Sequence, residues 1–368
     1  MLTALVSFFV AGSQPVVNPP VAARTPSHRA LDVCTRSRNS SSQNWQEHRD
    51  DGTVRWQAHW SGDDCTVDFR ATGTVKFNPD FTDIVGVTDG GTLDITAILG
   101  SHVRRINIRA AGNQVTRSLS VDGHDQPWDT AAQRWLADLL IDLDRMSGVG
   151  VDYRLPSLLA HGGVPAVLDE TEKMSSDYVR SLYLRRLIDQ RQLSEGEYQR
   201  IVVATAQGIR SDYEKSRVLR AVAAHSSLES EPTRRAYLDA VDHMSSDYER
   251  SRVLQTIFAK TRLSHELARA TVRSAETFHS DYERSRVLLA AIENKSLDAG
   301  DAQAVLVAVV KSNSDYEKSR VMLAVASRWT LDADARRAYL RAADTIKSDY
   351  ENRRVLAALV KSETRRDL

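Results

Sequence analysis

The stretch SDYEKSRVL at 211–219 decides the fold, because it returns almost letter for letter along the second half of the chain. SDYERSRVL stands at 246–254 and again at 280–288, and variants begin at 176, 314 and 348. The serines of these six copies are 35, 35, 34, 34 and 34 residues apart. A fixed period of roughly 20–50 residues is typical of arrays of stacked repeats.

The repeated phrase has the chemistry of a helix N-terminus. Ser211 can accept a hydrogen bond from the backbone N–H three residues on, and Glu214 can reach back to the N–H of the serine. This reciprocal pair is a capping box. Asp212 and Glu214 also place negative charge in the first turn, where the helix dipole favours it. Each copy therefore predicts the start of a helix.

A second helix is expected in every period. Its signal is a set of leucines with the same spacing as the serines, at Leu193, Leu228, Leu263, Leu297 and Leu331. The segments 233–244 and 335–346 carry apolar residues at helical spacing. Neither helix of a pair can bury its apolar stripe alone, but stacked pairs can. The sequence therefore predicts an α-solenoid over 157–368, with six repeats of about 34 residues.

The type of repeat and its two ends can also be predicted. Tetratricopeptide repeats have the same length, but their Trp, Gly and Pro landmarks are missing, so HEAT-like stacking is the preferred assignment. In the first copy Val179, Leu182 and Tyr183 replace the Glu, Arg and Val of later copies. We expect this more apolar face to pack against the preceding part of the chain. The last copy, with Asn352 and Arg353, is expected to be solvated.

Between 31 and 128 the apolar residues alternate with polar ones, as in half-buried β-strands. Turn signals separate the candidate strands TVRWQAHW, CTVDFRA, TVKF, TLDITAIL, RINIRA and VTRSLSV. This pattern predicts an antiparallel meander of six to eight strands. The expected fold is therefore α+β and multidomain, with an antiparallel β domain followed by the solenoid.

Linking helices are expected over 129–156. The segment DTAAQRWLADLLIDLDRM begins at Asp129 or Thr130 as the N-cap, and its leucines form a wide apolar stripe. We expect this helix to cover one face of the sheet. A second, short helix is expected near 156–161.

The composition and the first residues bear on partners and location. The chain has 368 residues with 49 basic and 49 acidic ones, a balance that argues against a nucleic-acid partner. Residues 1–30 combine an apolar run of about ten residues with a proline-rich linker. Such a run fits a signal peptide and is too short to cross a bilayer. The alternative is a misassigned start, with the run being the end of a longer membrane segment. We expect the protein to be exported, either periplasmic or on the outer face of the cytoplasmic membrane.

The two cysteines, Cys34 and Cys65, have neither C-x-x-C nor zinc-ligand spacing. A disulfide between them would close a loop worth roughly 3–4 kcal/mol of stability in the chain-entropy description. The alternative is two free thiols.

Motifs of catalysis are missing from the sequence. SHELAR at 264–269 lacks a zincin's second histidine, since Arg269 stands four residues after His265. The expected roles there are a helix cap for Ser264 and a solvated first-turn position for His265. S-x-x-K, G-x-S-x-G, P-loop and dinucleotide-binding motifs are also missing. We therefore predict no enzyme, no metal and no cofactor.

One feature of the repeats suggests binding. Tyr and Arg stand four residues apart in most copies, so they are neighbours on the helix surface, and both types are enriched at binding hot spots. The candidate binding residues are Tyr213, Arg217, Asp247, Tyr248, Arg252, Asp281, Tyr282, Arg286, Tyr316 and Arg320. An extended peptide could lie along them. The alternative is that the rings pack between helices and the arginines pair with acids of the adjacent copy.

The order of KFNPDFTDI, PWDTAAQRWLADLL, SDYVRSLYL and the serial phrases resembles one known arrangement. It is similar to the extracytoplasmic C-terminal region of bacterial antibiotic-sensor-type membrane metallopeptidases and related envelope proteins, over most of 45–368. The resemblance implies an envelope sensor or scaffold beside a membrane protease module. The sequence has no H-E-x-x-H, so peptidase activity does not carry over.

Three functional hypotheses follow. The first is a non-catalytic protein-binding or sensing protein of the bacterial cell envelope, with a protein or peptide partner and a possible association with an envelope membrane protein. The second is a hydrolase-type enzyme with a site in the β domain, near His59, His102 or Trp60, or at the β/solenoid junction. The third is a structural spacer, which a face of solvated Lys and Glu would favour.

Overall fold

The computed structural model describes residues 41–48, 54–62, 64–88, 90–112, 114–261 and 263–364. Within these ranges nine β-strands precede thirteen α-helices, so the fold is α+β as expected. The signal-like segment 1–30 lies outside the described residues. Among the helices in the described ranges, none combines the length and the apolar character needed to cross a membrane.

Seven strands form one antiparallel sheet in the order β1-β2-β3-β6-β7-β8-β9, and β4 and β5 form a separate hairpin. The strands are β1 Ser41–His48, β2 Val54–Gly62, β3 Cys65–Thr72, β4 Val75–Phe77, β5 Ile84–Val87, β6 Thr92–Leu99, β7 His102–Ala111, β8 Gln114–Val121 and β9 His124–Gln126.

The antiparallel arrangement is confirmed, but an uninterrupted meander is wrong. The segment TVKF, predicted as the next strand of the sheet, turns out of it, and β3 pairs with β6 instead. Gly73 makes this exit possible. Its φ is +85°, and a Cβ there would lie 2.2 Å from the Thr88 hydroxyl, so a side chain is excluded both by conformation and by space.

Helix α1, Thr130–Ser147, covers one face of the sheet. Asp129 is its N-cap and accepts hydrogen bonds from the backbone N–H groups of Ala131 and Ala132, each at 2.9 Å. The inward face of the sheet carries cross-strand apolar neighbours such as Phe69 and Ile95, which are fully buried. The leucine stripe of α1 packs on this face, which confirms the predicted layer.

Helix α2, Val151–Glu172, is much longer than the short helix expected near 156–161. It is kinked at Gly163, whose φ is 64° and ψ is −156°. Pro156 and Pro165 lie inside it. Because two prolines and two glycines interrupt the helical pattern, the sequence signal stopped early, although the chain continues as a helix on both sides of the kink.

The remaining helices form two rows. First-row helices begin with the repeated phrase: α3 Asp177–Gln190, α5 Asp212–His225, α7 Asp247–Phe258, α9 Asp281–Glu293, α11 Asp315–Arg328 and α13 Asp349–Thr364. Second-row helices alternate with them along the chain: α4 Glu195–Gly208, α6 Glu231–Asp242, α8 His265–Ala275, α10 Ala302–Val310 and α12 Ala333–Ala343. Each helix contacts the next helix of its own row.

A continuous apolar core runs between the two rows. The five periodic leucines are all buried in it, and a second-row helix begins shortly after each of them, as their spacing predicted. Two buried tyrosines connect the rows through their hydroxyls, since Tyr237 donates to the Leu219 carbonyl and Tyr339 to the Val355 carbonyl, both at 3.0 Å. Every pair of helices thus shares its core with the neighbouring pairs.

The loop between β4 and β5 holds the sheet against helix α2. Phe81 in this loop is buried, with its ring centroid 4.4 Å from that of Phe77 and 5.9 Å from that of Tyr153. Gly150 lies directly under the ring, because a Cβ there would come within 2.6 Å of it. The Ser157 hydroxyl also donates to Asp80. These contacts fix the sheet relative to the helices.

Candidate functional site

The aspartate of each repeated phrase joins its copy to the next. One carboxylate oxygen of Asp212 accepts hydrogen bonds from the backbone N–H groups of Ser245 and Ser246, both at 2.8 Å. The same contact recurs from Asp177, Asp247, Asp281 and Asp315 to the two residues before the following helix, at 2.6–3.0 Å. The candidate binding residues Asp247 and Asp281 are therefore occupied within the array.

In Asp281 these hydrogen bonds also affect the pKa of the carboxyl group. Burial alone would raise the pKa of Asp281, but its hydrogen bonds with the N–H groups of Asn313 and Ser314 and with Arg284 outweigh burial. The pKa of Asp281 is therefore held below its usual value, and the carboxylate stays ionised.

The capping box predicted within each phrase is wrong in its second half. Ser211 accepts from the N–H of Glu214 at 3.4 Å as expected, but the N–H of Ser211 donates to Asp177 of the preceding copy. The glutamate is used elsewhere. Glu249 accepts from the Ser216 hydroxyl at 2.5 Å, so glutamate and serine of neighbouring copies are also joined.

The serine–glutamate contact recurs at Ser285–Glu317, at 2.5 Å, and at Ser319–Glu351. A hydroxyl that donates to a carboxylate makes a charge-assisted hydrogen bond, which is about twice as strong as a neutral one. In these copies the aspartate, the second serine and the glutamate of the phrase therefore link one copy to the next.

The basic residue that follows the glutamate in the phrase also makes contacts within the array. Arg250, Arg284 and Lys318 are buried, and each reaches backbone carbonyls at the end of an adjacent second-row helix. Lys318, for example, donates to the Thr345 carbonyl at 2.9 Å. A cation at a helix C-terminus is favoured by the helix dipole. This position therefore ties the two rows of helices together.

The tyrosines differ from all of these residues. Six of them, which we call the tyrosine row, are 49–69% exposed: Tyr178, Tyr213, Tyr248, Tyr282, Tyr316 and Tyr350. Within the described residues no hydrogen bond involves any of their hydroxyls. The structure contradicts the alternative in which these rings pack between helices. An exposed ring with a free hydroxyl stands at the same place on every first-row helix.

The outer arginines lie beside these rings. In the last five copies the guanidinium carbon lies 5.4–5.9 Å from the centroid of the tyrosine four residues before it. Arg217, Arg252, Arg286, Arg320 and Arg354 each also pair with the glutamate of their own copy, at 2.7–3.3 Å. The expected alternative, pairing with acids of the adjacent copy, is therefore wrong. In the first copy Leu182 takes the place of the arginine.

A buried charge cluster at the start of the array was missed by the sequence reasoning. Arg154 donates to Asp144 at 2.9 Å and to Glu170 at 2.7 Å, and Arg145 also donates to Glu170 at 2.7 Å. The Tyr183 hydroxyl donates to Asp144. We call these five side chains the junction network. They connect α1, α2 and α3, and the apolar face of the first copy packs here, as expected.

The two acids of the junction network respond differently to burial. Burial raises the pKa of Asp144, and the charge of Arg154 only partly opposes it. Burial would also raise the pKa of Glu170, but the hydrogen bond from Arg145 and the charge of Arg154 lower it to about 2. Each ionisable side chain has a partner inside the network, so the network links α1, α2 and α3.

The residues of the enzyme hypothesis are not brought together. His59 lies on the open face of the sheet and bonds Asp68 at 2.8 Å, whereas the neighbouring Trp60 is buried on the opposite face. His102 bonds Asp122 at 2.9 Å, and two strands separate β2 from β7. This hydrogen bond lowers the pKa of Asp122. The two histidines thus form two separate surface pairs.

His265 takes part in a contact between repeats. Ser264 caps α8 by accepting from the Leu267 N–H at 3.2 Å, as expected. The half-exposed His265 bonds the buried Asp301 at 2.7 Å, rather than being only solvated. Asp298 completes a group whose possible metal-ligand atoms lie within 4.8 Å of one another. Arg269 already pairs with Asp301 at 2.8 Å, and this guanidinium disfavours a second cation.

Cys65 is buried at the start of β3 and takes part in a disulfide. Cys34 lies outside the described residues, so the pairing of these two cysteines stays a prediction.

No protein-family model, no curated protein and no solved structure matches this chain.

Proposed function

We propose that this chain is a non-catalytic protein-binding or sensing protein whose helical pairs stack as a HEAT-like α-solenoid. In this proposal the tyrosine row receives an extended segment of a partner protein. The observation that carries the proposal is the contrast within the repeated phrase. In most copies the aspartate, the second serine, the glutamate and the basic residue after the glutamate make contacts within the array, whereas the tyrosine of every copy is exposed and its hydroxyl has no partner within the described residues.

The geometry of the row suits an extended chain. Packed helices lie about 8–10 Å apart, so six first-row helices carry their tyrosines over roughly 40–50 Å. An extended peptide rises about 3.3 Å per residue, so about every third residue would meet a ring. Tyrosine offers a large, stiff apolar face and a hydroxyl, and the adjacent arginine adds N–H donors that the glutamate leaves unused. Main-chain carbonyls are suitable acceptors for them.

The spacer hypothesis explains less of the molecule. A spacer needs only the contacts that join one copy to the next, and the Asp, Ser and Glu side chains supply these. It gives no role to a row of exposed rings, which cost solubility unless they contact something. Each first-row helix instead presents an exposed tyrosine, with a half-buried arginine beside the ring in most copies, rather than the solvated Lys and Glu that a spacer would favour.

The cellular setting of the proposal rests on the sequence. We infer an exported protein of the bacterial envelope from the signal-like segment 1–30 and from the resemblance to the extracytoplasmic region of antibiotic-sensor-type proteins. An envelope membrane protein is then a reasonable source of the bound segment.

The test is a peptide-display selection on the full chain. A random peptide library is selected on the wild-type protein, and the enriched peptides are measured on a variant with Tyr213, Tyr248, Tyr282 and Tyr316 changed to Ala. A matched control changes the exposed second-row residues Val203, Val307 and Leu340 to Ala. We expect the tyrosine variant to weaken binding at least about tenfold, equivalent to about 1.4 kcal/mol, and the control to retain it. Equal binding by all three proteins, or no enriched peptide, would contradict the proposal.

A further inference from the structure

A separate pocket of about 220 Å³ opens where strand β2, the hairpin β4–β5 and helix α2 meet. It lies at the sheet, and none of its lining residues belongs to the tyrosine row. Three of its walls are the aromatic side chains of Trp56, Phe77 and Tyr153. The other lining residues are Gly73, Thr74, Val75 and Val149.

The three rings stand at steep angles to one another. Trp56 and Phe77 have centroids 6.3 Å apart and planes at 84°, and Phe77 and Tyr153 have centroids 5.5 Å apart and planes at 69°. Neither pair is stacked, and all three rings border the same pocket. A small group that enters the pocket can therefore contact more than one aromatic side chain at once.

The walls are held in place from behind. Phe81 is fully buried and contacts both Phe77 and Tyr153. Trp56 also contacts Phe69 of the sheet core, with centroids 5.7 Å apart. Because these contacts hold the rings in place, the rings need little rearrangement to receive a ligand, which lowers the entropic cost of binding.

The charge of the pocket selects the ligand. Aromatic faces carry negative electrostatic potential, so they attract cations. Among the described residues that line the pocket there is no Lys or Arg to repel a cation and no Asp or Glu to pair with one. A primary ammonium would lose hydration without gaining a carboxylate partner. A quaternary ammonium has no N–H groups to satisfy and meets no such cost.

We propose that this aromatic pocket binds a quaternary ammonium group, such as the trimethylammonium group of choline. The volume suits a group of that size, since about 220 Å³ is below the range of roughly 300–1,000 Å³ typical for drug-sized ligands. Aromatic cages of this kind are the usual protein solution for such cations.

The direct test compares choline with its neutral carbon analogue, in which a carbon atom replaces the nitrogen. The two have nearly the same shape and differ in charge. Ligand-observed NMR or calorimetry on the full-length protein gives both affinities. We expect choline to bind at least about fivefold more tightly, because the cation–π attraction acts on choline alone. Equal affinities, tighter binding of the analogue, or no binding of choline would overturn the proposal.

A variant locates the site. Phe77→Leu keeps an apolar side chain but removes one ring, and it should reduce choline affinity by a few fold while leaving the carbon analogue nearly unchanged. Tyr153→Leu is the second variant. Tyr248→Leu, which removes an exposed ring of the tyrosine row, is the matched control and should change neither affinity. Unchanged choline affinity in both pocket variants would place the cation site elsewhere and overturn the proposal, and equal loss of both ligands would overturn it by indicating a nonspecific apolar site.

Discussion

Asp212 and Ser246 lie in successive copies of the repeated phrase, and the carboxylate of the first accepts the backbone N–H of the second at 2.8 Å. The serine that begins each helix is therefore positioned by the preceding copy as well as by its own helix. Because the contact recurs from Asp177 to Asp315, it sets the relation between neighbouring first-row helices along the whole array.

Removing one such aspartate should weaken the array. Asp247→Ala deletes the acceptor for the N–H groups of His279 and Ser280. Hydrogen bonds to a charged group contribute about 1.5–3 kcal/mol, so we expect a loss of about 2–3 kcal/mol in urea unfolding. Asp239→Ala, at an exposed position, is the control and should cost less than about 0.5 kcal/mol. A similar loss of unfolding free energy in both variants would show that the contact between copies stabilises the array no more than an exposed aspartate does.

The serine–glutamate link can be measured by a double-mutant cycle. Ser285→Ala removes the donor and Glu317→Ala removes the acceptor of the 2.5 Å hydrogen bond between neighbouring copies. We expect a coupling free energy of about 1–2 kcal/mol between them, because the bond is buried and charge-assisted. Ser285→Ala combined with the distant Asp239→Ala should be additive. Additivity in the first pair would mean that the two side chains do not interact in solution.

Substitutions of an exposed and of a buried tyrosine should differ in their effect on the unfolding free energy. Tyr248→Ala removes an exposed ring and should change the unfolding free energy by no more than about 0.5 kcal/mol. Tyr237→Phe leaves the Leu219 carbonyl without its buried donor and should cost about 1 kcal/mol or more. Chemical unfolding of both variants checks the difference. A large loss for Tyr248→Ala would mean that the tyrosine row stabilises the array.

The junction network makes a prediction about pH. The pKa of Glu170 is lowered to about 2 in the folded chain, from an ordinary value of 4.5. The stability from its ionised form is therefore present above about pH 4.5 and is lost as the pH falls towards 2. Glu170→Gln should destabilise the protein by about 3 kcal/mol at neutral pH, because it leaves buried arginines poorly paired.

The pH series supplies the control for that variant. Melting temperatures of wild type and Glu170→Gln, measured from pH 7 to pH 2, should converge as the carboxylate becomes protonated in the wild type. Asp189→Asn on α3, outside the network, should run parallel to the wild type. A constant difference between wild type and Glu170→Gln at all pH values would show that the charge of Glu170 is not the cause.

Local patterns predicted the elements of this fold well. Ser211 and Ser264 cap their helices as expected, because a cap depends on residues three positions away. The alternation of Phe69 and Ala71 in β3 indicated the buried face of the sheet for a similar reason. The same local logic assigned Glu214 to a capping box within its own helix, which is wrong.

The contacts between distant residues could not be predicted. Asp212 meets Ser246 only because two helices stack, and a sequence period does not tell which side chain crosses the gap. The junction network did leave a trace, since Asp144 stands beside the leucine stripe of α1, where a charge needs a partner. The pocket of Trp56, Phe77 and Tyr153 left none, because it depends on how a hairpin folds back against a helix.

The most direct measurement combines stability and binding in one comparison. The variant with Tyr213, Tyr248, Tyr282 and Tyr316 changed to Ala is compared with wild type for its urea midpoint and its affinity for a display-selected peptide. We predict an unchanged midpoint and a loss of affinity of at least about tenfold. A lowered midpoint with unchanged affinity would contradict the account, because it would assign the tyrosine row to the stability of the array instead of to recognition.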